Sequence, residues 1–273
     1  WAIAARNQKK LSVLSREISC KGILCDSFNL ESLHKMTSQT KLVISLVGPY
    51  DIYGENLIKS CIKNNTHYLD LTGEPSFVNR IYKDYSELAI EKNVILIHSC
   101  GFESIPPDLG SYLTVKKINS DNIDITYYLK TKGKISGGTW SSFIHSINKT
   151  DKLTYNKSKK NANRKKSKKI FYSKRFKKWA LVFPVIDRYI VMKSSSSFKE
   201  YGKNLTFREY MLFPSLLSVI GLITALFFIS ILSRYTIMRR YLLSIIPSGD
   251  GPIREEREKN WFQSTIIGKA GDK

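Results

Sequence analysis

At 273 residues, 42% of them hydrophobic, the chain can form one large domain or two modest ones around a real core, which excludes a disordered polymer. Lys and Arg number 44 against 23 Asp and Glu, a formal net charge of +21. Without zinc-finger spacing or an aromatic signature on paired strands, that excess does not point to nucleic acid as a partner.

The first hundred residues alternate strand and helix. Trp1-Ala-Ile-Ala-Ala-Arg6 reads as a short strand that turns polar, and Asn7 to Glu17 as a helix with Leu11, Leu14 and Ile18 at helical spacing. Gly22 to Asp26 is a second strand, and a helix from Asn29 to Met36 follows, capped near Asn29. Leu42 to Gly48 is an apolar strand stopped by Gly48-Pro49, with a helix from near Gly54 to Lys63. Tyr68 to Leu71 is the next strand, Phe77 to Glu91 a helix with Phe77, Ile81, Tyr85 and Leu88 on one face, and Val94 to His98 a further strand. Pro106-Pro107-Asp108 opens another helix, since Pro is tolerated in the first turn. This rhythm implies a parallel, doubly wound α/β sheet. Three successive strands end in polar, Gly-containing turns, the place where such sheets bind ligands.

The pattern changes near residue 120. Asn122 to Lys132 alternates as a half-exposed strand, and Gly137-Gly138-Thr139 leads into an amphipathic stretch from Trp140 to Ile147. We therefore expect a first domain over residues 1–120 and an α+β second domain over 121–273. The second contains a basic insertion at 152–178 with thirteen basic residues and no acidic one. It reads either as a solvated surface or as a patch drawn to anionic headgroups. Trp179 to Met192 is apolar around Pro184 and has no clear period. Leu212 to Leu232 is a 21-residue run without a charge, followed by Arg234, Arg239 and Arg240. Its length allows a transmembrane helix with a cytosolic C-terminal side. A buried core helix is the alternative, and Pro214 and Gly221 permit an embedded hairpin. Trp261 to Gly268 alternates like a strand; if it pairs with Asn122 to Lys132, a single span is disfavoured. Cys20, Cys25, Cys61 and Cys100 form no CxxC pair and have no His at ligand spacing, so free thiols in a reducing compartment and no metal site are expected.

Val47-Gly-Pro-Tyr-Asp-Ile-Tyr-Gly54, Tyr68-Leu-Asp-Leu-Thr-Gly-Glu-Pro75 and Ser99-Cys-Gly-Phe-Glu-Ser-Ile-Pro-Pro-Asp-Leu-Gly110 together resemble the saccharopine dehydrogenase-like oxidoreductases, a group related to the trans-acting enoyl reductases. Gly137-Gly-Thr139 and the tail from Gly249 to Phe262 fit as well, so the similarity runs from Trp1 almost to the C-terminus. The resemblance implies a Rossmann NAD(P)-binding domain with an α+β second domain. It further implies association with lipid droplets or membranes on the cytosolic face, and a small-molecule or lipid substrate. The fingerprint G-x-G-x-x-G is absent, and the chain opens at Trp1 inside a strand. The resemblance therefore implies an N-terminal truncation lacking the first strand and its glycine-rich turn, and low stability in isolation. A membrane-associated binding or scaffold protein without catalysis is the alternative function.

The cofactor expected by resemblance is NADP or NAD. Arg6 ends the second strand of such a fold, where it suits the 2′-phosphate of NADP, or is a surface Arg. Gly48, Pro49 and Tyr50 would floor the dinucleotide site, or form an ordinary strand-ending turn. Cys100 and Gly101 stand at the third crest. Cys100 has no base in its vicinity along the chain, so a structural thiol is the stronger reading. Asp70 and Glu74 could orient a ribose or a substrate, or cap the following helix. His98 reads as packed, His145 as a weak acid–base candidate, and Gly138-Thr139 as an anion site or a cap. No catalytic residue is assigned, and oligomeric state is left open.

Overall fold

The computed structural model describes residues 1–148, 167–183 and 186–270. It divides into two compact units, Trp1–Cys100 and Gly101–Lys273.

The first unit runs β1 (Ala2–Ala5), α1 (Gln8–Glu17), β2 (Lys21–Leu24), α2 (Leu30–Thr37), β3 (Leu42–Ser45), α3 (Tyr50–Lys63), β4 (His67–Asp70), α4 (Pro75–Glu91) and β5 (Leu96–Ile97). Asn7 and Asn29 cap α1 and α2 with their side chains, accepting from the N–H groups of Lys10 and Ser32. All strand pairs are parallel, but the sheet is in two pieces, β1–β2 and β3–β4–β5. Leu33, Ile58, Ile62, Tyr68, Phe77 and Ile81 form the core on the helix-covered side. The strand at Leu42 is not buried on both faces: Ser45 is buried while Ile44 is 59% exposed and Leu46 69% exposed. On α4 the buried apolar side chains are Phe77, Val78, Ile81 and Ala89, and Leu88 is exposed.

Helix α3 begins at Tyr50, a full turn before the Gly54 that marked its expected start. Gly54 sits within the helix because a Cβ there would lie 2.5 Å from Cζ of Phe77 on α4. It is a close-approach glycine between two helices, not a helix boundary.

The second unit comprises α5 (Ile105–Ile118), β6 (Asn122–Lys132), α6 (Gly137–Ser146), β7 (Ile170–Ser173), β8 (Lys178–Val182), α7 (Asp187–Ser197), β9 (Asn204–Phe213), α8 (Leu216–Leu232), α9 (Thr236–Ile245), α10 (Arg254–Lys259) and β10 (Trp261–Ala270). Its five-stranded sheet has the order β10-β6-β9-β8-β7. The β6–β9 pair is parallel and the other pairs are antiparallel. Val115 of α5 and Val191 of α7 pack with Ile123, Ile125, Tyr127 and Phe207 of β6 and β9. The opposite face holds Ala180, Tyr210 and Leu212 with Tyr128 and Phe171.

One expectation for this unit is corrected. Residues 152–166 of the basic insertion lie outside the described residues; of its remainder, Ile170–Ser173 form β7 and Lys178 opens β8. The uncharged run from Leu212 to Leu232 is not one helix. Leu212 and Phe213 finish β9, and α8 starts after the Ser215 cap and has 17 residues. Among the described residues no helix is long and apolar enough to cross a membrane. The expected transmembrane helix is therefore absent there. At ~1.5 Å per residue α8 is about 25 Å long, below the ~30 Å hydrocarbon core. The expected pairing is present: β10 runs antiparallel to β6 over Trp261 to Ala270.

Candidate functional site

The crest residues of the first unit form one hydrogen-bonded assembly. Glu74, buried at the end of the β4 crest, accepts the N–H of Tyr50 on Oε1 at 2.9 Å and that of Asp51 on Oε2 at 3.0 Å. It thereby satisfies the open N-terminus of α3, whose N-cap Pro49 has no side-chain donor or acceptor to offer. The phenol of Tyr50 donates to the carbonyl of Ser45 and accepts from the N–H of Leu71, stitching β3 to the β4 crest. The Gly48–Pro49 peptide is cis.

Asp70 organises the third crest. Its Oδ1 accepts the N–H groups of Thr72 and Ser99, its Oδ2 lies 2.6 Å from Nδ1 of His98, and its carbonyl accepts from Cys100 N–H at 2.7 Å. Ser99 is held at a φ of 61°, with its hydroxyl donating to the carbonyl of Thr72. A non-Gly residue in that region, with its N–H and hydroxyl both engaged, is a locally over-determined backbone. Burial, then the Asp70 charge, pushes the Cys100 thiol up, so this cysteine is a poor nucleophile. Cys61 is pushed up to about 12 by burial alone.

Arg6 follows β1 directly and is exposed, while Gly48 is half-buried and Pro49 and Tyr50 are buried. Thus the strand-end assembly joins Pro49, Tyr50, Asp70, Glu74, His98 and Cys100. Arg6 stands apart from these bonds, and Gly101 begins the second unit. Glu74 is spent on backbone amides and Asp70 on two amides and His98, and the Glu74 side chain caps the helix before it, α3, rather than the one after it. His145 accepts no catalytic geometry either: its Nδ1 is 2.8 Å from the carbonyl of Ser141 on its own helix. At Gly137-Gly138-Thr139 the N–H of Thr139 goes to Ser136, so the helix is capped internally. No cluster of three or more metal-ligating side chains occurs among the described residues.

The second unit holds a buried acidic pair that the sequence did not signal. Asp187 in the first turn of α7 is 2% exposed and Glu209 on β9 is 5% exposed. Ser104, which caps α5 in the third motif, donates to Oδ1 of Asp187 at 2.9 Å. Burial, then the neighbouring Asp187 charge, pushes Glu209 up to about 10, and burial lifts Asp187 to about 6. Burial and mutual repulsion disfavour ionising both carboxyls at neutral pH, so the pair as a unit retains a proton. Asp108 of the same motif accepts from Ser194 at 3.0 Å, so Ser104 and Asp108 both clasp α5 to α7.

A nicotinamide dinucleotide fits these residues in part. An exposed guanidinium after β1 suits an adenosine phosphate, and the parallel strand ends give the crest such cofactors lie on. The residues present include no glycine-rich loop for the pyrophosphate.

Residues 1–97 match the family of the saccharopine dehydrogenase NADP binding domain. The chain is 30% identical to the saccharopine dehydrogenase-like oxidoreductase of Bos taurus, covering 98% of this chain and 70% of that protein. It is 33% identical to a lipid droplet localized protein of Caenorhabditis elegans, over 56% of this chain and 40% of that protein. A putative trans-acting enoyl reductase of Mycobacterium tuberculosis is 34% identical over 41% of this chain and 28% of its own length. With the parallel crest of the first unit and this similarity along nearly its whole length, the chain belongs to the saccharopine dehydrogenase-like oxidoreductases.

Proposed function

We propose that this protein is an NADP-dependent oxidoreductase that works on a small or lipid-linked substrate at a membrane or lipid-droplet surface. The observation that carries the reading is the crest itself: parallel strand ends braced by Tyr50, Asp70 and Glu74, with the exposed guanidinium of Arg6 after β1. The cofactor, when bound, supplies the hydride, and the protein supplies binding and orientation. Asp70 and Glu74 hold the turns rigid rather than exchange protons with a substrate. No catalytic residue emerges from the crest. The cofactor-binding surface we propose is Arg6, Gly48, Pro49, Tyr50, Cys100 and Gly101.

Fluorescence titration of the natural protein with NADPH and NADH tests this. Saturable binding is expected, with NADPH favoured and with Arg6→Ala removing most of the preference. Absence of binding to either nucleotide would refute the cofactor reading.

A second reading, a lipid-surface protein without catalysis, is favoured by α8. Of its 17 residues Val219 alone is buried, and Leu217, Phe227 and Phe228 are 80%, 61% and 55% exposed. The following α9 exposes Ile237 and Tyr241 and carries Arg239 and Arg240. An apolar helix beside a cationic amphipathic one matches a helix pair lying in the headgroup boundary. Lipid binding with no nucleotide binding would select this second reading.

A further inference from the structure

We propose that a basic hollow on the sheet of the second unit binds a phosphate group. The inference is independent of the oxidoreductase reading. The hollow is a cavity of about 250 Å³. Lys130 of β6, Lys178 of β8 and Arg175 of the β7–β8 turn converge on it, with Gln263 and Thr265 of β10 beside them. Leu212 of β9 and Phe176 supply its apolar lining. Three strands and a turn thus set its polar groups, β9 adds Leu212, and the register places Gln263 opposite Lys130 and Leu212 opposite Ala180.

Charge argues for an anion. Arg208 of β9 is paired with Asp124, and Lys203 and Lys134, which flank strands, with Asp121 and Glu256. No acidic residue lines the hollow, and among the described residues Lys130, Arg175 and Lys178 have no carboxylate partner. Three like charges held together by sheet register repel one another, and a bound anion relieves that. Lys130 is further restrained, its Nζ 4.8 Å from the ring centre of Trp261. Lysine and arginine are donors without acceptor capacity, and the amide of Gln263 and hydroxyl of Thr265 add donors. Such a set suits the several acceptor oxygens of phosphate. The size is just below the ~300–1,000 Å³ usual for ligand pockets, which suits a phosphate and a small group bearing it.

The phosphate could belong to a lipid headgroup or to a soluble phosphomonoester. Leu212 lies three residues before the Ser215 cap of α8, within about 10 Å of extended chain. A headgroup beside α8 and a free phosphate present the same chemistry to the hollow.

Isothermal titration of the whole chain with inorganic phosphate and glycerol 3-phosphate, and co-sedimentation with phosphatidylcholine vesicles with and without phosphatidic acid, test the proposal. The pocket variant is Lys130→Gln/Lys178→Gln. The control, Lys168→Gln/Lys174→Gln, removes the same charge from exposed positions outside the hollow. Saturable binding of at least one probe is expected, weakened roughly tenfold or more in the pocket variant and unchanged in the control. Loss confined to vesicles identifies a headgroup, and loss confined to soluble phosphates a small molecule. Equal loss in both variants, or no saturable binding of any probe, overturns the proposal. Should the pocket variant not fold, Arg175→Gln on the exposed turn replaces it; unchanged affinity there is equally fatal.

Discussion

The two oxygens of Glu74 accept the backbone N–H groups of Tyr50 and Asp51, at 2.9 and 3.0 Å, across 24 and 23 residues of chain. A buried carboxylate from one strand crest thereby terminates a helix that begins at another. The motifs Gly48-Pro49-Tyr50 and Gly73-Glu74-Pro75 are therefore two halves of one brace.

That brace can be measured. Glu74→Ala leaves two buried amide donors without acceptors, and each such loss costs about 1–3 kcal/mol. A destabilisation of about 2–4 kcal/mol in denaturant melts of the first unit is expected, with Glu74→Gln milder because its amide oxygen still accepts one bond. Equal stability of Glu74→Ala and the parent would show that the brace carries no weight.

Gly54 gives a second prediction. The Cβ of Ala would stand 2.5 Å from Phe77 Cζ, and Phe77 is wholly buried, so its ring has nowhere to swing. Overpacking of this kind costs ~1–3 kcal/mol. Gly54→Ala should lower stability by that amount, and Phe77→Leu should recover part of the loss in the double variant. Additive losses in the thermodynamic cycle would contradict direct contact.

The strands and crests of the first unit were legible because Gly, Pro and Asn punctuate apolar runs there. Asn29 stands as the cap its side chain predicts, and Asn7 caps α1 in the same way. Roles at the crest were less legible. Whether Glu74 meets a ribose or a backbone amide depends on how β3 and β4 pair, which no local pattern encodes. In the second unit β9 was missed because Arg208 and Glu209 interrupt its alternation. In the sheet Arg208 pairs with Asp124 on one face, while Glu209 points into the other beside Asp187. The bond from Ser104 to Asp187 spans 83 residues, so the acidic pair had no signature along the chain. The run from Leu212 to Leu232 was read by hydropathy alone, which does not register that its first two residues belong to a strand.

The acidic pair makes stability depend on pH with a defined sign. Asp187 and Glu209 face Ser104, Glu103 and Tyr127, the last bonded to Ser264 of β10, and none of these supplies a positive charge. Both carboxyls keep their protons to higher pH in the folded state, to about 6 and about 10, than at their ordinary values of 3.8 and 4.5. Their contribution is therefore complete below about pH 4 and is lost as pH rises through the folded values. The second unit should be less stable at pH 9 than at pH 5. Glu209→Gln, which keeps a neutral donor beside Asp187, should flatten that slope and gain stability relative to the parent at pH 9. Parallel pH profiles for parent and variant in urea melts would rule out a shared proton.

The exposed face of α8 supplies the last prediction. Leu217 and Phe227 contribute nothing to the core, since they are 80% and 61% exposed. Moving each into an apolar phase is worth ~1.5–3 kcal/mol, so each substitution should weaken lipid binding by tenfold or more. Leu217→Ser and Phe227→Ser should accordingly reduce flotation with phospholipid-coated oil droplets while leaving the melting temperature unchanged. Replacing the buried Val219 by Ser should do the reverse, lowering stability first, because that side chain is the one α8 spends on its own unit. If flotation of the two exposed-face variants matches the parent, α8 does not lie in the lipid surface. Its apolar face must then be covered by protein.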